Sequence, residues 1–547
     1  MVKNQLNEDI AKMVIGRYDK LYADQANWRS LWQDLADFIH PRKSSSIISQ
    51  GSPGGSQTER LFDSTAIHAN ELLAASMSSA LTSGATKWFS LKIRGLDNED
   101  KEVSEWLEMC STRMYKAIQQ SNFNSEIHEG YLDLGAFGTS ALEITERVIE
   151  VPGFNGLHFK SYNIGEYVFA ENFEGRVDTI IRKITMTVRA AHNQWGKLLG
   201  KDLVKKAQDR PDDDIEILHA VMPASDIGNI NVKSAYKFVS GNIDYRTKKI
   251  IKVGGFMEFP ICVVRWAKSS GEVPGRGPGF TALPDIKTLN KAVELGLKAW
   301  AKAIDPPLEV VDDGVIGLIR LQPSGITYVR EKGMVNPMQF GARFDVSKIE
   351  QEDLRTSIRR IFFSDQLQFQ QTPQMTATEV YVRYELMQRL LGPTLGRLEA
   401  ELLNPMIERI FNMMLRAGVF GDVPSGLKGK KIDIEYEGPM ARAQRSGEMV
   451  AIQRTYEIIA PLAQSNPEIL DHFDVDKIPE FAAKITGMPT ILLRSAADIK
   501  KIRDARAKQA AANQQKADLA AIAEGAGKIA PLIGAIKPEV PTAGGGQ

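Results

Sequence analysis

The stretch Met375–Val419, MTATEVYVRYELMQRLLGPTLGRLEAELLNPMIERIFNMMLRAGV, decides how the rest of the chain is read. Thr376 and Glu379 have the T-x-x-E spacing of a capping box, in which hydroxyl and carboxylate each satisfy a free backbone N–H. Behind them Val380, Tyr384, Met387, Leu391, Leu395, Leu398, Leu402, Met406, Ile410 and Met414 recur at steps of three and four, one apolar stripe on a helix. Gly418 stands where a left-handed C-terminal cap belongs. At 1.5 Å per residue such a helix is roughly 60 Å long. Pro393 and Pro405 lie inside it, and each removes a donor and presses on the carbonyl four residues earlier. Two readings follow. The run is three short helices, or it is one long helix kinked twice with its stripe in phase across both prolines.

The segments before it are equally specific. Asp365–Gln374, DQLQFQQTPQ, is rich in amides and carries one charge, a loop of neither the Gly/Ser linker nor the basic binding kind. Upstream, Ser347 and Glu350 repeat the capping-box spacing, and Ile349, Leu354, Ile358, Ile361 and Phe362 form a seam. Before that comes a short β-rich insert: Leu308–Val311, a turn at Asp313-Gly314, Val315–Leu321 and Ile326–Arg330. Asp305-Pro306-Pro307 separates it from a helix over Leu283–Ile304, whose seam is Ile286, Leu289, Val293, Leu297, Trp300 and Ile304. Lys287, Lys291, Lys298 and Lys302 fall within about 60° of one another on that helix, with Glu294 beside them. The lysine stripe is either a solvated outer face or a channel lining. Gly271–Gly279, GEVPGRGPG, reads as a hard break ahead of it.

The first half is α+β. Asn7–Ile39 reads as helix with a short break, ended by Pro41, and Arg42–Arg60 as a basic Ser/Gly-rich loop, a plain surface loop or a contact for DNA or a partner. Helices are expected over Asp63–Ser83 and Lys101–Ser121 and a strand over Trp88–Ile93. The pattern then turns to period two: strands over Ser140–Arg147, Leu157–Tyr162, Tyr167–Ala170, Val177–Thr187, Ile215–Val221, Ala235–Val239 and Ile250–Arg265, with a helix near Val188–Leu198. An antiparallel sheet is the expected result. Past Val419 come a strand over Lys431–Tyr436, the segment GPMARAQR at Gly438–Arg445, a helix over Met449–Ala463, and helix over Asp476–Ile502 continuing to Ala523. A tail after Ile536 is expected to be disordered.

Composition narrows the class. A chain of 547 residues, 43% hydrophobic and 25% charged, makes several globular domains. No apolar run is long enough to cross a bilayer, and the first nine residues are too polar for a signal peptide. Two cysteines, Cys110 and Cys262, argue for a reducing compartment and against a disulfide framework. The 68 basic and 68 acidic residues cancel, whereas a protein that grips DNA carries a basic excess. Zero net charge does suit a channel through which DNA slides without being held.

Enzyme chemistry finds little footing. The sequence has no G-x-x-x-x-G-K-[ST], and Gly275-Arg276-Gly277-Pro278-Gly279 lacks the Lys-Ser/Thr of a phosphate cradle. The seven histidines, His40, His68, His128, His158, His192, His219 and His472, do not pair at metal-binding spacing. Asp212-Asp213-Asp214 after Pro211 reads as a solvated turn, and there is neither G-x-S-x-G nor H-E-x-x-H. No cofactor and no metal are expected.

Two seamed helices flanking a small β insert, then a glutamine loop, then a capped and kinked long helix opening on TATEV resemble the bacteriophage portal proteins, or head-to-tail connectors, of short-tailed phages. The resemblance covers order and spacing along the chain, and the Pro-to-Gln-Arg segment within GPMARAQR has a counterpart there. It implies a mainly helical α+β chain: a wing over 1–282, stem helices over 283–305 and 346–364, a clip over 306–345, a tunnel loop over 365–375, the long wing helix over 376–419, further wing over 420–480, and a helical crown with a flexible tail over 481–547. It implies a ring, dodecameric in the family, at one capsid vertex of the virion, assembled in the host cytoplasm, through which double-stranded DNA is packaged and ejected. Its partners there are terminase, major capsid and scaffold proteins and a tail adaptor, with no membrane. Gln366, Gln368, Gln370, Gln371, Thr372 and Gln374 would line the narrowest part of the channel. Amides there would touch phosphate without a strong, salt-dependent hold. The rivals are a non-ring capsid or adaptor protein, and a packaging nuclease or ATPase.

Overall fold

The computed structural model describes residues 2–48, 58–84, 87–93, 101–147, 153–227, 236–312, 327–338, 344–367, 392–427, 432–436 and 496–533, with a few positions between them. Residues 1–96 with 106–447 form one compact unit, and 97–105 with 448–547 a second.

The chain opens with α1 (Val2–Asp24) and α2 (Ala26–Ile39), the break falling at Gln25, which is buried and donates from Nε2 to the Phe169 carbonyl. A 3-10 turn, Pro41–Ser46, follows where a loop was expected. The basic residues there are engaged: Lys43 meets Asp133 at 2.6 Å, and Arg42 meets Glu129 at 3.3 Å. After α3 (Thr65–Leu81), β1 (Phe89–Ile93), α4 (Lys101–Gln119) and α5 (Phe123–Phe137), alternation takes over. Strands β2 (Thr139–Glu146), β3 (Leu157–Tyr162), β4 (Tyr167–Glu171) and β5 (Val177–Thr187) come first. Helices α6 (Val188–Trp195) and α7 (Lys201–Asp209) interrupt, and β6 (Asp214–Pro223), β7 (Phe238–Asp244), β8 (Lys249–Phe256) and β9 (Ile261–Arg265) complete the set. The sequence pattern missed α7, whose nine residues are mostly charged, and placed β7 three residues early.

These strands make two antiparallel sheets, β3-β2-β9 and β4-β5-β6-β7-β8. The larger sheet is covered on one face by α1, through Ile10, Val14, Ile15 and Tyr18 against Ile181, Leu218 and Met222. The other face takes Val188, Ala191, Trp195 and Leu199 against Ile215, Ile217 and Ile251. Period-two alternation is what lets one strand serve both layers.

The glycine-rich segment is not a flexible break. It runs hard against the end of α5, which closes on Gly138 in the left-handed region, φ +68°. A Cβ at Gly277 would lie 2.7 Å from the Leu134 carbonyl oxygen, and one at Gly279 2.3 Å from that of Ala136. Close backbone approach is therefore the reason for the glycines. Helix α8 (Pro278–Ile304) starts inside this segment, five residues before the expected Leu283, with Pro284 in its interior.

Short strands β10 (Leu308–Val310), β11 (Val315–Ile316), β12 (Tyr328–Val329) and β13 (Val335–Pro337) pair antiparallel as β10 with β13 and β11 with β12. Helix α9 (Phe344–Ile361) then returns. Ser347 and Glu350 fall inside it, so that capping box does not mark the start. A four-residue α10 (Ser364–Leu367) takes up the first residues of the expected glutamine loop, Gln366 among them. Residues 392–398 are helical, Glu399–Leu403 form a π turn, and α11 (Asn404–Arg416) follows. Strand β14 (Ile432–Tyr436) pairs antiparallel with β1. In the second unit α12 spans Ala496–Ile533, 38 residues, and its side chains from 498 to 516 are nearly all exposed.

Candidate functional site: the helix pair and the bent helix

Helices α8 and α9 pack against each other, and their roots are anchored in the first unit. Asn290 Nδ2 donates to the Arg60 carbonyl at 2.8 Å while its Oδ1 accepts from the Phe62 N–H at 2.7 Å. Arg355 Nε reaches Asp63 at 3.0 Å, and the Ser357 hydroxyl donates to Asp285 at 2.8 Å. Ile286, Leu289, Ile358 and Phe362 are buried.

Beyond Asn290 the same seam of α8 comes out into solvent. Val293 is half-buried, and Leu297, Trp300 and Ile304 are exposed, Trp300 by 59%. Ile349 on α9 is exposed as well. The β insert continues the pattern with Val310, Val311, Ile316, Leu318 and Tyr328, Leu318 by 85%. An apolar stripe that begins in a core and continues into solvent is more than the scattered single apolar residues of an ordinary surface.

The four lysines of α8 are not alike. Lys287 reaches across to Asp34 on α2 at 2.7 Å. Lys291 and Lys298 both meet Glu294, at 2.9 and 2.5 Å, and hold its carboxyl below the usual carboxylate range. Lys302 lies in the last turn, where cations suit the helix dipole.

The described part of the long helix, 392–416, carries a feature the stripe did not reveal. The stripe was expected to keep phase across Pro405, and its residues on both sides, Leu398, Leu402, Met406, Ile410 and Met414, are buried. The π turn Glu399–Leu403 nevertheless absorbs an extra residue just before Pro405, which sits in the first turn of α11. Leu402 and Leu403 are both buried in consequence, along with Leu398, Met406, Ile407, Ile410 and Met414. The expected cap holds: Gly418 has φ +71°, its N–H donates to the Leu415 carbonyl, and the Val419 N–H donates to that of Met414. Arg409, almost fully buried, donates to the carbonyls of Ile144 and Glu258 at 2.9 and 3.1 Å, and burial pushes its pKa down to about 10. Arg416 forks onto the Glu258 carboxylate at 2.5 and 2.9 Å.

Gln368, Gln370, Gln371, Thr372 and Gln374, the Thr376–Glu379 box and GPMARAQR lie outside the described residues, while the described positions of the expected helix Met449–Ala463, namely 452–455, 457–459 and 461, are helical. Pro393 lies inside the helical run 392–398. Asp213 of the acidic triplet pairs with Lys206 at 3.0 Å. Among the described residues no group of three or more His, Cys, Asp or Glu could hold a metal ion, and no helix is long and apolar enough to cross a membrane.

Fold and site together define an α+β chain whose α8 seam leaves the core and ends in exposed apolar residues. The chain belongs to the bacteriophage head to tail connecting protein family, whose model matches residues 11–493. It is 31% identical to the "Portal protein" of Salmonella phage epsilon15 over 532 residues, 93% of each chain. It is 29% identical to the "Probable portal protein" of Bordetella phage BPP-1 over 537 residues, 95% of each. A solved chain described as "Neck of native GTA particle computed with C12 symmetry" matches at 12% identity with a TM-score of 0.35, over 76% of this chain and 94% of that one; a likeness so slight carries no argument.

Proposed function

We propose that this protein is a phage portal: a closed ring at one capsid vertex of the virion through which double-stranded DNA is packaged and later ejected. Residues 283–305 and 346–364, mostly on α8 and α9, are its stem, residues 306–345 its clip, residues 1–282 with 376–480 its wing, and residues 481–547 its crown and tail. The chain performs no catalysis, needs no cofactor, and offers terminase and then a tail adaptor a platform to dock on. Major capsid and scaffold proteins surround it as it assembles in the host cytoplasm. Gln366, Gln368, Gln370, Gln371, Thr372 and Gln374 line the constriction, and Lys291, Lys298 and Lys302 face the channel as stacked circles of charge damped by Glu294.

The observation that carries this reading is the α8 seam, buried up to Leu289 and bare at Leu297, Trp300 and Ile304. One hairpin cannot cover it. A neighbouring copy related by rotation can, and repetition closes a ring. Light scattering after size exclusion, with electron-microscope views of the particles, tests it. Closed rings are expected without nucleotide, twelve-membered as the family implies. A monodisperse monomer at micromolar concentration across a range of salt would sink the reading.

A further inference from the structure

The π turn does not stand alone. Beneath it lies Arg265, the last residue of β9, with its side chain 1% exposed. All five of its guanidinium N–H groups find acceptors. Nε and Nη2 go to Glu401 at 3.2 and 2.8 Å, Nη1 to Glu171 at 2.7 Å and the Val273 carbonyl at 3.3 Å, and Nη2 also to the Gly175 carbonyl at 2.7 Å. Its backbone N–H donates to Glu401 as well, at 3.0 Å. Lys268 meets Glu171 at 2.7 Å, and Arg397 meets Glu401 at 3.1 Å. Burial works against the Arg265 charge, but the Glu401 and Glu171 carboxylates outweigh it and push its pKa up.

Glu401 is the middle residue of the π turn. Were that turn to relax to α geometry, everything before it would rotate by about 100° and shift by about 1.5 Å relative to α11. Glu401 would then leave Arg265, and a buried guanidinium would lose two of its acceptors. Pro405 favours the irregular turn, because its ring presses on the carbonyl of residue 401 and it has no N–H to offer. The far side of the turn cannot follow, since Arg409 and Arg416 tie α11 to Ile144 and Glu258.

We propose that Arg265 is a positioning residue for this helix: by gripping Glu401 it locks the π turn and so fixes the direction of the helical run 392–398 relative to α11. The consequence for DNA passage rests on the portal reading; the lock itself does not. Glu171 supplies the control, being a second carboxylate on the same guanidinium but attached to β4.

The test is amide hydrogen exchange of the full-length assembly, read by mass spectrometry. Glu401→Gln is expected to speed exchange over residues 392–403 at least tenfold, with 406–416 unchanged, and Glu401→Asp to restore most of the protection. Glu171→Gln is expected to stay within twofold of wild type over 392–403. Equal effects of Glu401→Gln and Glu171→Gln, or none from either, would overturn the lock. In a DNA-packaging reaction Glu401→Gln rings should assemble but package several-fold more slowly; a wild-type rate would overturn the aiming role. Wild-type protein that neither forms rings nor packages would instead overturn the portal reading, leaving exchange to decide the lock.

Discussion

At the scale of single residues, a buried pair of opposed titrating groups lies where α2 ends over α5. Burial pushes the His40 pKa down to about 3, helped by Lys43 and Arg42, and pushes the Asp133 pKa up to about 6 despite Lys43. Their linkages to stability have opposite sign. The Asp133 contribution is present at low pH and lost as pH rises through about 6. The His40 contribution is present above the ordinary histidine value and lost as pH falls toward about 3. Between about pH 4 and 6 the two largely cancel, so wild type should show a shallow slope there. Asp133→Asn should expose the His40 term, and stability should then fall by about 1 kcal/mol per pH unit on acidification. Denaturant titrations across pH check it; an unchanged slope would show that His40 is not the group responsible. Gly277 gives a second residue-scale prediction. A methyl there meets the Leu134 carbonyl oxygen at 2.7 Å and the Gly138 Cα at 2.9 Å, both backbone, so neither can swing aside. Gly277→Ala should cost about 1–3 kcal/mol, read as a lowered midpoint in denaturant melts.

At the scale of elements, the bent helix shows what a sequence pattern can and cannot carry. Residues 398, 402, 406, 410 and 414 of the stripe are all buried. The Gly418 cap and most strand limits were legible too, because each rests on a local rule of periodicity or left-handed geometry. Strands β3 and β5 begin and end where alternation puts them. The π turn was not legible, since an extra residue in one turn follows from a long-range grip by Arg265, 136 positions earlier in the chain. The start of α8 was missed for a related reason. Gly277 and Pro278 read as a break until α5 lies alongside them, after which proline at the first helical position is favourable. Likewise the lysine stripe was visible, but not that Lys287 is held by Asp34. Of the candidate channel residues in the glutamine loop only Gln366 lies among the described ones, so the role of that loop rests on chain order. Pro393 yields a prediction at this scale. An alanine there restores a backbone donor inside a helical run, where proline costs about 3 kcal/mol. Pro393→Ala should straighten the helix, leave rings intact and slow packaging. Normal packaging with an unchanged bend in reconstructed rings would make this proline incidental.

At the scale of the whole molecule, the question is how exposed seams and a near-neutral chain serve passage of a polyanion. If copies cover one another's Trp300 and Ile304, Trp300→Asp with Ile304→Asp should leave the protomer's circular dichroism intact and shift the assembly to monomers or open oligomers in light scattering. Passage itself is best tested at Gln370 and Gln371. In the portal reading they sit at the constriction, and amides there offer phosphate only weak hydrogen bonds. Changing both to Lys adds two positive charges per subunit, repeated around the ring. Each phosphate neutralised releases counterions, so the hold on DNA should become strong and should weaken steeply with salt. Rings should form normally, because the change adds charge without removing a seam. Translocation should slow or stall at low salt and recover in part as salt is raised. Truncating both residues to Ala should disturb sliding less, while retention of packaged DNA weakens. A Lys pair that packages at the wild-type rate at low salt, or a loop found on the outer surface of the ring, would remove these glutamines from the channel.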